Sequence, residues 1–197
     1  GIVASILSSI IAVILGLLSS FNKYFDTFVS WIVDLFLSVP HILAIILISI
    51  ALGGGAFGVT VGVALTHWTS LTRVLRAEIK QIQTSEYVKL SKNLGKSKLW
   101  IATKQILPLI VSQIIVGTIL IFPHAIMHEA SVTFLGFGLS PHEPAIGVIL
   151  SESMKYLATG NWWLALFPGL SLLIIVLLFD IVGENIKKLL NPASANN

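Results

Sequence analysis

His124 and His128 stand four residues apart inside the apolar run 106–135. On a helix, residues at that spacing share one face. Two imidazoles so placed can bind a first-row transition metal. His67, in an earlier apolar run, is a further candidate, and Glu129 directly follows His128. The same side chains can instead hydrogen-bond to neighbouring helices or backbone carbonyls, as polar residues do inside membrane bundles. These residues alone therefore fix no firm metal site. A zinc peptidase would need His-Glu-x-x-His, and Val132 stands where the second histidine belongs. The chain has no G-x-x-x-x-G-K-[ST] phosphate loop, so it is not expected to hydrolyse ATP, and it has no cysteine for thiolate metal sites or disulfides.

The elements that must position these groups are membrane helices. Hydrophobic residues make up 55% of the 197 and charged residues only 11%, with a mean hydropathy of +0.93. Soluble domains carry roughly 25% charged residues, so the bilayer is the expected solvent. The net charge of +3 is spread over loops and forms no aromatic-basic patch suited to nucleic acid. A membrane helix takes about 20 apolar residues. The expected architecture is all-α, one transmembrane domain with about five spans, at 1–21, 27–52, 57–75, 106–135 and 162–183. The glycine cluster Gly53-Gly54-Gly55 with Gly58 separates the second from the third. Five alternating spans place eleven Lys and Arg on one side and Lys155 alone on the other. The positive-inside rule then makes the loop 76–107 and the C-terminus cytoplasmic and the loop 136–160 external, with Trp162-Trp163 at the interface. The chain opens on an apolar run with no basic leader, and its true N-terminus is expected to be missing.

The stretch "EYVKLSKNLGKSKLWIATKQILP", Glu86 to Pro108, is the most polar in the chain. Val74, Ile79, Ile82, Val88, Leu90, Leu94, Leu99 and Ile101 recur in it and before it at helical spacing. The expectation is two short amphipathic helices around a Gly95 elbow, with Ser85 capping the first and Pro108 starting the next membrane helix. Such a helix could lie on anionic lipid or dock a partner.

Gly95 and Leu107-Pro108 in this setting resemble the coupling loop of binding-protein-dependent ABC importer permeases. "EYVKLSKNLGKSK" is similar to the form found in the dipeptide, oligopeptide and nickel branch. "DLFLSVPHILAIILISIALGGG", "HWTSLTRVLRAEI", "EASVTFLGFGLSP", "PAIGVIL" and "FPGLSLLIIVLLFDIVGENIKKLLNP" resemble successive blocks of that branch's second permease subunit, over essentially the whole chain. The resemblance implies a type I permease fold in the cytoplasmic (inner) membrane, with one further N-terminal helix than is present here. It implies a second homologous permease, two ABC ATPase subunits that carry ATP and Mg, and an extracytoplasmic solute-binding protein as partners, with no cofactor in this chain. It makes Glu86, Tyr87, Lys89, Ser91, Gly95, Leu107 and Pro108 the ATPase-coupling residues. One departure stands out: the family's Glu-Ala-Ala triplet falls on Lys89-Leu90-Ser91, and Glu86, one turn earlier, is the nearest carboxylate. The His124/His128 pair and His67-Trp68 look like the nickel permeases of the branch, while peptide remains an equal cargo. Glu129 has a family counterpart whatever the substrate.

In the loop 136–160, a turn is expected to lead into a short helix over Ala145–Leu157, with His142, Glu143 and Glu152 available to a docking binding protein. Asp34 is expected at headgroup depth, and Asp180 and Glu184 are expected to pair with Lys187 and Lys188. A secondary transporter or channel, working without ATP, is the competing reading; it calls for inverted repeats and helices broken at mid-membrane.

Overall fold

The computed structural model describes residues 1–190; Asn191-Pro192, at the end of the last quoted block, lie outside them. Nine α-helices and one π-helical turn account for nearly all of these residues, with no strand among them.

Helix α1, Ile2–Ser19, sets the packing rule. Its buried positions are Ala4, Ser5, Ser8, Ser9, Ala12, Gly16 and Ser19. Its bulky Ile2, Ile6, Ile10 and Ile14 face outward. Lipid tails are as apolar as isoleucine, so nothing drives large side chains inward; small residues let backbones approach and hydroxyls bond across the seam. Ser8 Oγ donates to the carbonyl of Ala64 at 3.0 Å, and Thr118 Oγ1 donates to Ser9 Oγ at 2.7 Å. These bonds join α1 to α4, Gly55–Gln83, and to α7, Leu107–Phe134.

The expected continuous span 27–52 is corrected to two helices. Helix α2, Lys23–Ser38, and helix α3, His41–Ala51, meet at 93°. Pro40 is the cause. A proline pushes the residue before it out of the helical region, and Val39 is extended at φ −96°, ψ 132°. Helix α3 then returns against α4. A Cβ on Gly58 would lie 2.8 Å from the backbone oxygen of Ser49, and one on Gly62 3.0 Å from that of Ile45. Gly53, Gly54 and Gly55, all at positive φ, make the turn between the two helices.

Three stretches are long and apolar enough to cross a membrane, Ile2–Ser19, Lys98–Phe134 and Trp163–Leu190, and the bent pair makes a fourth if it is one span. Helix α4 is long enough, but its threonines, His67, Arg73 and Arg76 keep it out of that set. Arg76 is nearly buried and reaches the Asp26 carboxylate on α2, which Lys80 also meets at 2.9 Å. Burial of Asp26 works against its charge, yet the bonds from Lys80 and Arg76 outweigh this and hold its carboxyl below the ordinary range.

Helix α5 spans Glu86–Asn93, and α6, Lys98–Ile101, runs through the π turn Ala102–Ile106 into α7. Pro108 therefore starts no new helix, contrary to expectation. The helix begins instead at Ser97, whose side chain accepts the Trp100 N–H. Inside a helix a proline ring collides with the carbonyl four residues back; for Pro108 that is Lys104, within the π turn, whose wider winding makes room. Helices α8, Ile146–Leu157, and α9, Trp163–Leu190, complete the chain. Among the described residues Gly183 is the one buried position of α9, where a Cβ would lie 2.7 Å from Leu120 Cδ2.

Two stability measurements test this packing. Gly58→Ala should lower stability in detergent by about 1–3 kcal/mol, because backbone must move, whereas Gly169→Ala, with its nearest neighbour 4.0 Å from the added carbon, should leave the melting temperature unchanged. Asp26→Asn should cost about 2–3 kcal/mol at pH 7 by leaving Arg76 without its carboxylate. A depressed carboxyl pKa stabilises above the unfolded-state value and ceases to do so as pH falls through the folded value. The gap between wild type and Asp26→Asn should therefore close below about pH 4, as read by melting curves across pH.

Candidate functional site

Helices α4 and α7 each turn one stripe toward a shared groove of about 410 Å³. From α4 come His67, Ser70, Leu71 and Val74, spaced i, i+3, i+4, i+7. From α7 come Gln113, Val116, Gly117, Leu120, His124 and His128, with the same period. Fifteen residues separate Gln113 from His128, so the groove runs for about 22 Å at 1.5 Å per residue. That is most of the thickness of a hydrocarbon core. His41 joins from the start of α3, and Lys187 of α9 lines the groove as well. No carboxylate among the described residues lines it. A second cavity of about 430 Å³ between α7, α8 and α9 is lined almost wholly by apolar side chains such as Phe134, Leu150 and Met154.

Four of the five histidines thus meet in the groove. The His67 and His128 rings lie 4.9 Å apart between centroids, His41 and His67 5.6 Å, and His41 and His128 6.3 Å. The expected His124/His128 pair shares a helix face, but His128 meets His67 edge-on and lies beside His41 rather than pairing with His124. His67 Nδ1 lies 3.1 Å from the carbonyl of Val63, and His124 Nδ1 3.0 Å from that of Leu120. His67 Nδ1 also lies 3.0 Å from Thr66 Oγ1; a carbonyl can only accept, so where Nδ1–H donates to the carbonyl, Nε2 keeps its lone pair in the neutral ring. In the conformation described, no three donors among the described residues converge closely enough to hold an ion. Glu129 stands off the groove; its Oε1 accepts from Thr133 Oγ1 at 3.3 Å. His41 was missed in the sequence because 27–52 read as one straight span. The Val-Pro step before it was the available signal.

At the basic end, α5 is pinned by one face. Val88 is fully buried, and Gln105 Nε2 donates to Ser91 Oγ at 2.6 Å, clasping α5 to the π turn. Gly95, at φ 76°, ends α5: its N–H donates to the Lys92 carbonyl at 3.0 Å, and Lys96 N–H to that of Ser91 at 3.1 Å. This is the left-handed glycine termination. Ser85 sits before α5 as expected, but its hydroxyl donates back to the Ile82 carbonyl instead of capping. Tyr87, Leu90, Leu94 and Leu99 point outward. Lys89 Nζ meets Glu86 Oε1 at 2.9 Å, so the lysine neutralises its neighbour on the same face. Leu107 is half-buried and Pro108 exposed.

At the other end, Glu143 Oε2 accepts the Ser140 N–H at 2.9 Å and shapes the turn before α8, while His142 and Glu152 are exposed. Asp34 binds Arg73 at 2.7 Å. Glu184 lies 3.5 Å from Lys187, and Asp180 has no ion-pair partner among the described residues.

Comparison with known proteins fits this arrangement. Residues 8–194 match the family described as binding-protein-dependent transport system inner membrane component. A putative peptide transport system permease protein of Brucella suis is 30% identical over 192 residues, covering 98% of this chain and 64% of that protein. The oligopeptide transport system permease protein OppC of Bacillus subtilis is 30% identical over 193 residues, with 98% and 63% covered. The dipeptide transport system permease protein DppC of the same organism is 28% identical, with 98% and 60% covered. The chain thus spans less than two thirds of the length of these relatives. A chain of the MetNI methionine ABC transporter, solved in an inward-facing conformation, superposes with a TM-score of 0.75 at 19% identity, covering 95% of this chain and 89% of that one. The fold is that of a type I importer permease, and the chain belongs to the inner membrane components of binding-protein-dependent transport systems.

Proposed function

We propose that this chain is the transmembrane permease subunit of an ATP-driven ABC importer, moving a small peptide or a nickel complex across the inner membrane by alternating access. The observation that carries this reading is one continuous helical stretch, Lys98–Phe134. It follows the outward-facing Tyr87, Leu90 and Leu94, carries Leu99 in its first turn, and goes on to carry the groove stripe from Gln113 to His128. A push delivered on α5 reaches the groove through the Ser91–Gln105 clasp and this one helix. The groove supplies the polar path that a cargo needs in a low-dielectric interior.

In this reading α5 is the coupling helix, with Glu86, Tyr87, Lys89 and Ser91 on it, Gly95 as its elbow and Leu107-Pro108 just past the π turn of the membrane helix. The eleven-to-one distribution of Lys and Arg puts that end in the cytoplasm. Two ATPase subunits, which hold ATP and Mg, bind there. A second permease faces the groove, and a solute-binding protein docks over the loop 136–160, where His142, Glu143 and Glu152 are accessible. The relatives named as dipeptide and oligopeptide permeases favour peptide as the cargo. One observation favours a secondary transporter instead: the 93° break at Pro40 is the kind of discontinuous helix such proteins use.

Purification of the full-length protein from its own membranes, followed by mass spectrometry, separates the two. A second permease and ATPase subunits should co-purify; recovery of the protein without an ATPase, even after crosslinking through Lys89–Lys98, would favour the secondary transporter. Gly95→Pro tests the coupling role. Proline cannot adopt φ 76°, so uptake should fall at least tenfold while ATP hydrolysis and membrane abundance persist. Uptake equal to wild type would remove the coupling assignment.

A further inference from the structure

We propose that His41, His67 and His128 form a three-imidazole site for a divalent first-row transition-metal ion, completed by a small movement of α3 about the Pro40 elbow. A metal–nitrogen bond of about 2.1 Å puts the centroid of a coordinating imidazole about 3.2 Å from the ion, so two rings at a tetrahedral angle have centroids about 5.2 Å apart. The three separations here are 4.9, 5.6 and 6.3 Å. His67 and His128 already stand at that spacing. The two longer distances both involve His41, and moving that one ring inward by about an ångström brings them near the tetrahedral value.

The elements allow that movement. His41 is the first residue of α3, separated from α2 by Val39 and Pro40 alone. Its ring is held by no hydrogen bond among the described residues, and neither is that of His128. Both rings line the groove, so their nitrogens are open to a ligand that enters it. His67 is prepared differently. Its Nδ1 lies within hydrogen-bond distance of both the Val63 carbonyl and Thr66 Oγ1, which fixes the ring. Metal-binding histidines are oriented by that kind of bond. His124, one turn from His128 and held by the Leu120 carbonyl in the same way, is the next nitrogen along the groove toward Gln113.

Three neutral imidazoles leave the ion its two positive charges and at least one open coordination position. No carboxylate among the described residues lines the groove, so an anionic ligand that travels with the ion would fill that position. Nitrogen donors alone select late first-row metals over magnesium or calcium. Passage of such an ion as cargo rests on the groove being the transport path; its binding does not.

The test is titration of the full-length purified protein in detergent with cobalt(II) chloride alone, followed by visible absorption. One equivalent should bind with the intense bands of a low-coordinate nitrogen site. His41→Ala, His67→Ala and His128→Ala should each weaken binding at least tenfold, and the Gln variants, which keep size and polarity, should do the same should an Ala variant fail to fold. Absence of the bands in wild type, or undiminished binding in all three variants, would overturn the site and return the histidines to packing. Cobalt binding lost in the variants together with unchanged uptake of cargo by the assembled transporter would leave the site standing and remove the groove as the path.

Discussion

Close approach of helix backbones through small residues is the constraint on which the other features rest. In lipid the large apolar side chains of α1 gain nothing by turning inward, so its seam is built from Ala4, Ser5, Ser8, Ala12 and Gly16. Helix α4 meets that seam on one side and α3 on another, where Gly58 and Gly62 lie against the carbonyls of Ser49 and Ile45. A helix so tightly held can present His67, Ser70 and Val74 to a groove without that groove collapsing. The same α4 extends beyond the apolar layer to place Arg76 and Lys80 on Asp26. Packing at one end and charge at the other thus hold a single rod in register with α1 and α2.

Much of this was legible in the sequence where a local signal decides the outcome. Gly95 ends α5 because the chain there needs positive φ, and the triple glycine turns α3 into α4 for the same reason. The helix read from the apolar stretch 145–157 is α8. Glu184 pairs with Lys187 as their spacing suggested, whereas Asp180 has no ion-pair partner among the described residues and Asp34 takes Arg73, a residue from another helix. What was illegible depends on relations that sequence spacing does not carry. A proline at position 40 can kink, break or begin a helix, and only packing against α4 selected a right-angle turn. Pro108 carries the usual mark of a helix start, yet the π turn absorbs its ring and the helix runs through. Periodicity announced the apolar residues of 74–101 but not which way they face: Ile79, Val88 and Ile101 are buried, while Leu90, Leu94 and Leu99 are not. His67 and His128 were visible as ionisable residues inside apolar runs; their meeting with His41 was not, because it depends on the bend.

Lys89 gains a local meaning from the structure. Glu86 and Lys89 form an exposed pair one turn apart on α5, of a kind that contributes only tenths of a kcal/mol to stability. Its consequence is electrostatic rather than energetic. The outward face of α5 is left apolar and nearly neutral, framed by Lys92, Lys96 and Lys98. Tyr87 and Leu90 are the exposed apolar side chains of that face.

The π turn at Ala102–Ile106 sets the phase of everything after it. It winds one more residue into a turn than an α-helix does, and each residue of an α-helix subtends about 100°. The clasp at Ser91 and Gln105 fixes the azimuth of the chain before that extra residue, and the stripe from Gln113 to His128 inherits its azimuth from after it. Five residues near one membrane surface therefore act as a vernier for side chains about 33 Å away along the helix axis, setting whether the imidazoles look into the groove or out at the lipid.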